Sequence, residues 1–234
     1  GYWGPKPAIA ELVYRFVTNP DTALLLARRG ELDFLARLRG PQWVGAVRKD
    51  PFYQHEFVMT RHYPPGTSYV LLNHRRPLFA DRRVRRGLSL LLDRPTITTR
   101  VMHGLAQPVA GLYWLKDPDY DTSLPPIPFD PETAKRLFIE AGFTDRDGNG
   151  MLERGDQPFR FTFYLTAGSQ TNQRWLTMYQ EALRKAGVVM DIVTIDWAAY
   201  LERIRRHDFD AGALFMQQVG PFTDLYYQFH SSQI

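Results

Sequence analysis

The sequence predicts an α/β fold built on a mixed sheet flanked by helices, and three observations carry that prediction. Strand-like and helix-like segments alternate as β, α, β, α, β through residues 159–217. The intervening helical segments are long enough to act as crossovers, which makes the strands they join at least partly parallel. The helices also carry complete punctuation, with acidic caps at their starts and glycine stops at their ends.

In chain order, ELVYRFV (11–17), LDFLARL (32–38) and FYQHEFVMT (52–60) have the content of strands. Between the first two, PDTALLLARRGE reads as a short helix capped by Asp21 and stopped at Gly30. A PPG turn at 64–66 leads into a further strand, SYVLLNH (68–74). RRVRR then opens an amphipathic helix in which Val84, Leu88, Leu91 and Leu92 recur at helical spacing toward the core. Residues 108–129, PVAGLYWLKDPDYDTSLPPIPF, follow neither period. They form a long loop, a kind of segment that tends to carry function inside a compact domain.

The second half is more legible. In DPETAKRLFIEAGF, Asp130 suits the N-cap, Pro131 the first helical position, Glu132 the positive end of the dipole and Gly142 the left-handed stop. Ala134, Leu137, Phe138 and Ala141 make its apolar stripe. FRFTFYLT (159–166) alternates as a half-buried strand does. A helix over about 172–186 gathers Trp175, Met178, Tyr179, Ala182 and Ala186 on one face before Gly187 ends it. VVMDIVTI (188–195) is a β-branched strand, and Asp196 caps WAAYLERIRR, whose Trp197, Tyr200, Leu201 and Ile204 form the next stripe. FDAGALFMQ (209–217) is the last strand.

Composition narrows the function classes. With 234 residues, 44% hydrophobic and 23% charged, the chain is an ordinary globular one, long enough for one large domain or two small ones. It has no apolar run of membrane-spanning length. GYWGPKPAIAEL lacks the parts of a signal peptide, so an export signal would lie upstream or have been removed. The absence of cysteine excludes disulfides and thiolate metal sites. No nucleophile motif, P-loop or H-E-x-x-H is present, and the histidines at 55, 62, 74, 103, 207 and 230 have no ligand spacing. An enzyme is therefore not expected.

The net charge of +4 is concentrated in residues 75–100, where Arg75, Arg76, Arg82, Arg83, Arg85, Arg86, Arg94 and Arg100 fall. The favoured reading is the solvated side of the amphipathic helix. The alternative is a nucleic-acid-binding module that uses the Arg82–Arg86 helix, although no aromatic residue is interleaved there for stacking.

DRDGNGMLERGD (145–156) matches the spacing of an EF-hand loop, with Asp145, Asp147, Asn149, the Met151 carbonyl, Glu153 and Asp156 as ligands and Gly150 at the sharp turn. Asp156 is shorter than the glutamate that usually closes such a loop. A helix precedes this loop but a strand follows it, so it reads as a structural calcium clip or as a plain turn rather than as a sensor. A calcium-dependent adhesion module is a third functional class left open.

Several of these stretches together resemble one family, the extracellular solute-binding proteins of the oligopeptide type, family 5, which serve ABC importers. LLNHRRPLFADRRVRRGLSLLLDRPTI is similar to its best-known signature, and GLAQPVAGLYW to the segment that follows it. FDPETAKRLFIEAGFTDRDGNG resembles its helix and acidic loop, and VTIDWAAYLERIRRHDFDAGAL its closing strand, helix and strand. GYWGPKPAIAELVYRFVTNPDTALLLARRGELDFL is similar to an earlier segment. The resemblance implies a lobe like those of type II periplasmic binding proteins, with crossover strands from a second lobe, in a hinged clamp that closes on its ligand.

Family members are considerably longer, so the resemblance also implies an internal piece. Residues 1–70 would then hold crossover strands and part of the first lobe, 71–215 the distal lobe, and 216–234 the return segment. It implies a substrate-binding component that presents a peptide or similar solute to permease subunits. It further implies a monomer that binds no nucleic acid and works in the periplasm or extracellularly, with a lipoprotein anchor as an option; no cofactor is required, a structural calcium in the 145–156 loop being an option that the spacing alone offers.

The residues expected to line the cleft are Tyr69 and Asn73, Tyr113 and Trp114 in the long loop, and Phe215, Gln217 and Gln218 after the last strand. Polar-tipped aromatics and amides suit a partly wet pocket, and core packing is the competing role of each. Peptide binders of this family often carry a tryptophan and then an aspartate after the closing strand, the aspartate pairing with the ligand's α-amino group. This chain reads FMQQVGPFTDLYY, where the nearest acid, Asp224, comes late, so its solute need not be a peptide.

Overall fold

The computed structural model describes residues 3–6, 8–168, 170–217, 226, 230 and 232. The chain divides into two compact units, residues 1–61 and 62–234.

In the first unit, helix α1 (Pro20–Arg28) is capped by Asn19, whose side chain accepts hydrogen bonds from the Asp21 and Thr22 amides. The cap expected at Asp21 is thus two residues too late. Pro20 already occupies the first turn, where its missing N–H costs nothing, and Asp21 instead accepts a bond from Gln42 Nε2 at 2.8 Å. The three strands expected at 11–17, 32–38 and 52–60 do not form. A strand needs a partner for its N–H and C=O groups, and among the described residues nothing pairs with the first two. The third is preceded by Asp50-Pro51, and that helix grammar wins over the β propensity of Phe52 and Tyr53: Asp50 accepts from the Phe52 amide and α2 spans Pro51–Glu56. Leu24, Val47 and Tyr53 form this unit's small buried cluster.

The second unit has an α/β architecture. Its strands are β1 (Gly66–Leu72), β2 (Arg160–Thr166), β3 (Val189–Ile195) and β4 (Ala211–Gln217), and its principal helices are α3 (Arg82–Leu90), α4 (Pro131–Glu140), α5 (Gln170–Lys185) and α6 (Trp197–Arg205). The sheet order among the described residues is β1-β4-β2-β3. β2 runs parallel to both β3 and β4, while β1 is antiparallel to β4, with Leu72 opposite Ala211 and Gly66 opposite Gln217. β1 belongs to the second unit.

Alternation decides which side of β2 is dry. Phe161, Phe163 and Leu165 face Val84 and Leu88 of α3, Phe138 of α4 and Trp175, Leu176 and Leu183 of α5 in one continuous core. Aromatic rings meet edge-on within it, Phe138 with Phe159 at 4.9 Å and Phe163 with Trp175 at 5.9 Å. Gly87 lets α3 and α4 approach: a Cβ there would fall 2.4 Å from the Phe138 ring. Asp130 and Asp196 cap α4 and α6 as expected, and Gly142 and Gly187 take the left-handed conformation that ends α4 and α5. Asp81 caps α3, and its hydrogen bonds to Arg83 hold its carboxyl down to about 2.

α6 covers the opposite face of the sheet, but with less of its surface than its period suggests. Tyr200 is 2% exposed and its hydroxyl donates to the Ala213 carbonyl at 2.8 Å. That burial raises its pKa to about 12. Trp197 and Leu201, expected in the same buried stripe, are 56% and 37% exposed.

Candidate ligand-binding edge and acidic loop

The chain runs from β2 through α5 on one face to β3, then back through α6 on the other face to β4, which lies on the far side of β2. The adjacent strands β2 and β3 therefore send the chain to opposite faces, and the carboxyl edge of a sheet wound in this way is where ligands bind.

Two of the expected site segments come to this edge. Phe215 and Gln217 end β4, paired with Ser68 and Gly66. Phe215 is 48% exposed and lies over Gly66, where a Cβ would come within 2.5 Å of its ring. Next to Gly66, Thr67 is buried, and its hydroxyl donates to the Leu112 carbonyl at 3.0 Å. This bond fastens the long loop to the edge just before Tyr113 and Trp114. Both aromatics are half-buried, and the Lys116 ammonium sits 5.8 Å from the centre of the Trp114 ring. The loop turns back on itself through Asp117 N–H to Trp114 C=O at 2.8 Å.

The other expected residues are placed differently. Tyr69 lies inside the sheet opposite Leu214, and burial raises its hydroxyl pKa. Asn73 stands at the opposite, amino edge of the parallel strands, 5% exposed. Its amide donates to the His207 and Phe209 carbonyls at 2.9 and 2.8 Å, and its oxygen accepts from the Arg75 amide at 3.1 Å. Every polar group of that side chain is thus spent inside the lobe. Gln218 and Asp224 lie outside the described residues.

Sequence reasoning missed two residues at the edge. Thr67 carried a weak signal, a buried polar residue directly after the PPG turn. Trp197 follows the carboxyl end of β3 and stacks on Tyr200 at 5.8 Å while remaining largely exposed. Its helical period was mistaken for burial.

In the acidic loop, Asp145, Asp147 and Glu153 bring one carboxylate oxygen each within 4.8 Å of one another, the only such group of acids and histidines among the described residues. The loop is held by Gly150 N–H on Asp145 and Met151 N–H on Asn149 at 2.9 and 2.8 Å. Asp156, expected to close the ligand set, turns away: its side chain is fully exposed and lies 3.6 Å from Arg146. Arg146 also reaches Glu153 at 3.3 Å.

The mixed sheet with helices on both faces defines the fold class, that of the type II periplasmic binding proteins. The chain belongs to the bacterial extracellular solute-binding proteins, family 5, whose model matches residues 1–233. It is 27% identical, over all of its length and 42% of the relative's, to the oligopeptide-binding protein AppA of Bacillus subtilis. The structure of that protein in complex with a nonapeptide matches 93% of this chain and 43% of its own with a TM-score of 0.79 at 24% identity. NikA of Brucella suis in complex with Fe(III)-EDTA matches 92% of this chain and 43% of its own, with a TM-score of 0.78 at 24% identity. The chain thus spans less than half the length of these relatives. Among the described residues no helix is long and apolar enough to cross a membrane.

Proposed function

We propose that the chain is one lobe of the substrate-binding component of an ABC importer, which captures a peptide or similar small solute between two lobes and presents it to the membrane permease. The observation that carries this reading is the convergence of Phe215, Gln217 and the Thr67-anchored Tyr113-Trp114 loop on the carboxyl edge of a doubly wound sheet. A ligand that touches both lobes favours the closed state by its differential affinity, which gives the permease a form to recognise. The solute class is kept broad because one similar structure holds a nonapeptide and another a metal chelate. The protein works as a monomer in the periplasm or outside the cell, with or without a lipid anchor, and without nucleic acid. Native mass spectrometry of the complete protein from its source tests this: a co-purified small solute is expected, with weak or undetectable retention by the 234-residue chain alone. Tight binding by this chain alone would contradict the two-lobe account.

The acidic loop is proposed as a structural calcium clip, with Asp145, Asp147 and Glu153 as the carboxylates that hold the ion and supply no chemistry to the solute. Calcium at a hundredfold excess over its Kd should raise stability by about 2.7 kcal/mol. A chelator should reverse the gain, and Asp145→Asn with Asp147→Asn should remove it. A melting temperature indifferent to calcium and chelator would leave a plain turn.

A further inference from the structure

The turn after β1 and helix α3 carry a run of arginines that the solute-binding role does not use. Arg82 and Arg86 are exposed one turn apart on α3, on the side away from the buried Val84, Gly87 and Leu88. Arg85 lies between them and donates to the Phe79 and Ala80 carbonyls at 2.7 and 2.8 Å. Arg75 is exposed on the turn that follows β1. Among the described residues none of these four guanidinium groups lies within ion-pair distance of a carboxylate, whereas neighbouring Arg76 and Arg83 pair with Asp210 and Asp81 at 3.1 and 2.7 Å. Partial burial and the Arg85 charge keep the His74 imidazole below its ordinary pKa, so the run owes its charge to arginine.

We infer that these arginines adsorb the lobe to an anionic phospholipid surface. Three classes of polyanionic partner compete, and the surroundings of the arginines separate them. A specific protein interface needs an apolar or aromatic anchor at its centre, but Phe79, Val84, Leu88 and Leu91 are all inside the core. Single-stranded nucleic acid is gripped by aromatic stacking platforms, and none stands between Arg82 and Arg100. Adsorption to anionic headgroups needs only positive charge on a convex surface, with each arginine near the bilayer contributing independently.

Co-sedimentation of the full chain with phosphatidylcholine vesicles, with and without phosphatidylglycerol, tests the inference. Binding is expected only to the anionic vesicles and should weaken as salt rises. Arg82→Gln with Arg86→Gln should reduce partitioning about 30-fold, with the melting temperature unchanged because both side chains are exposed. Arg75→Gln, outside the helix, should reduce it about fivefold. The charge-matched control Arg205→Gln with Arg206→Gln, on α6, should bind as wild type. Failure of the wild-type chain to sediment with anionic vesicles, an equal loss in the control, or retention by a DNA oligonucleotide without vesicle binding would overturn the inference.

Discussion

Phe163→Ala should destabilise the lobe by about 3–5 kcal/mol, the largest loss expected of any single substitution here. Phe163 is 0% exposed at the centre of β2, the strand hydrogen-bonded to both β3 and β4. Its ring meets Trp175 of α5 edge-on at 5.9 Å, so truncation removes apolar contact area and leaves a cavity that strand and helix together cannot close. Since domains of this size are stable by only about 5–15 kcal/mol, the variant should be close to unfolding at physiological temperature. Urea denaturation read by tryptophan fluorescence measures the change. A loss below about 1 kcal/mol would mean that the sheet does not pack as described.

The second large effect is Asn73→Ala, expected to cost about 2–4 kcal/mol. One side chain ties the exit of β1 to the approach to β4 by satisfying the His207 and Phe209 carbonyls and the Arg75 amide. Alanine takes the partner from the part-buried His207 carbonyl and Arg75 amide and leaves the buried Phe209 carbonyl with only its bond from Arg76 Nε at 3.3 Å, and the desolvation already incurred is not recovered. The same variant separates two roles for this residue. A clasp lowers the melting temperature and leaves solute affinity in the folded protein unchanged, whereas a ligand contact would do the reverse.

What the sequence made legible follows from where its signals are local. Asp130, Pro131, Gly142, Gly187 and Asp196 act within their own turns, so α4, the end of α5 and the start of α6 could be placed to within a residue or two. The parallel crossovers followed from element order alone. Partnership is not local: 11–17 and 32–38 have strand composition, yet nothing in their own residues states whether a neighbour will pair with them. Burial of a helical stripe depends on what lies opposite, which is why Trp197 was misjudged while Tyr200 was not. At the site, the long loop announced itself by lacking any period. Its anchor, Thr67 on Leu112, joins positions 45 residues apart and left almost no trace in either segment. Asn73 looked like a ligand residue because an amide at a strand end suits both a cleft and a clasp, and only its three partners decide between them.

The central claim is that the carboxyl edge of this lobe grips a solute. The most direct measurement is the affinity of the complete protein for its co-purified solute, by calorimetry, before and after Trp114→Ala. The account predicts affinity lower by at least about 30-fold, as for a central aromatic contact, with the melting temperature of the solute-free protein changed little. Undiminished affinity would place the grip elsewhere and contradict the account.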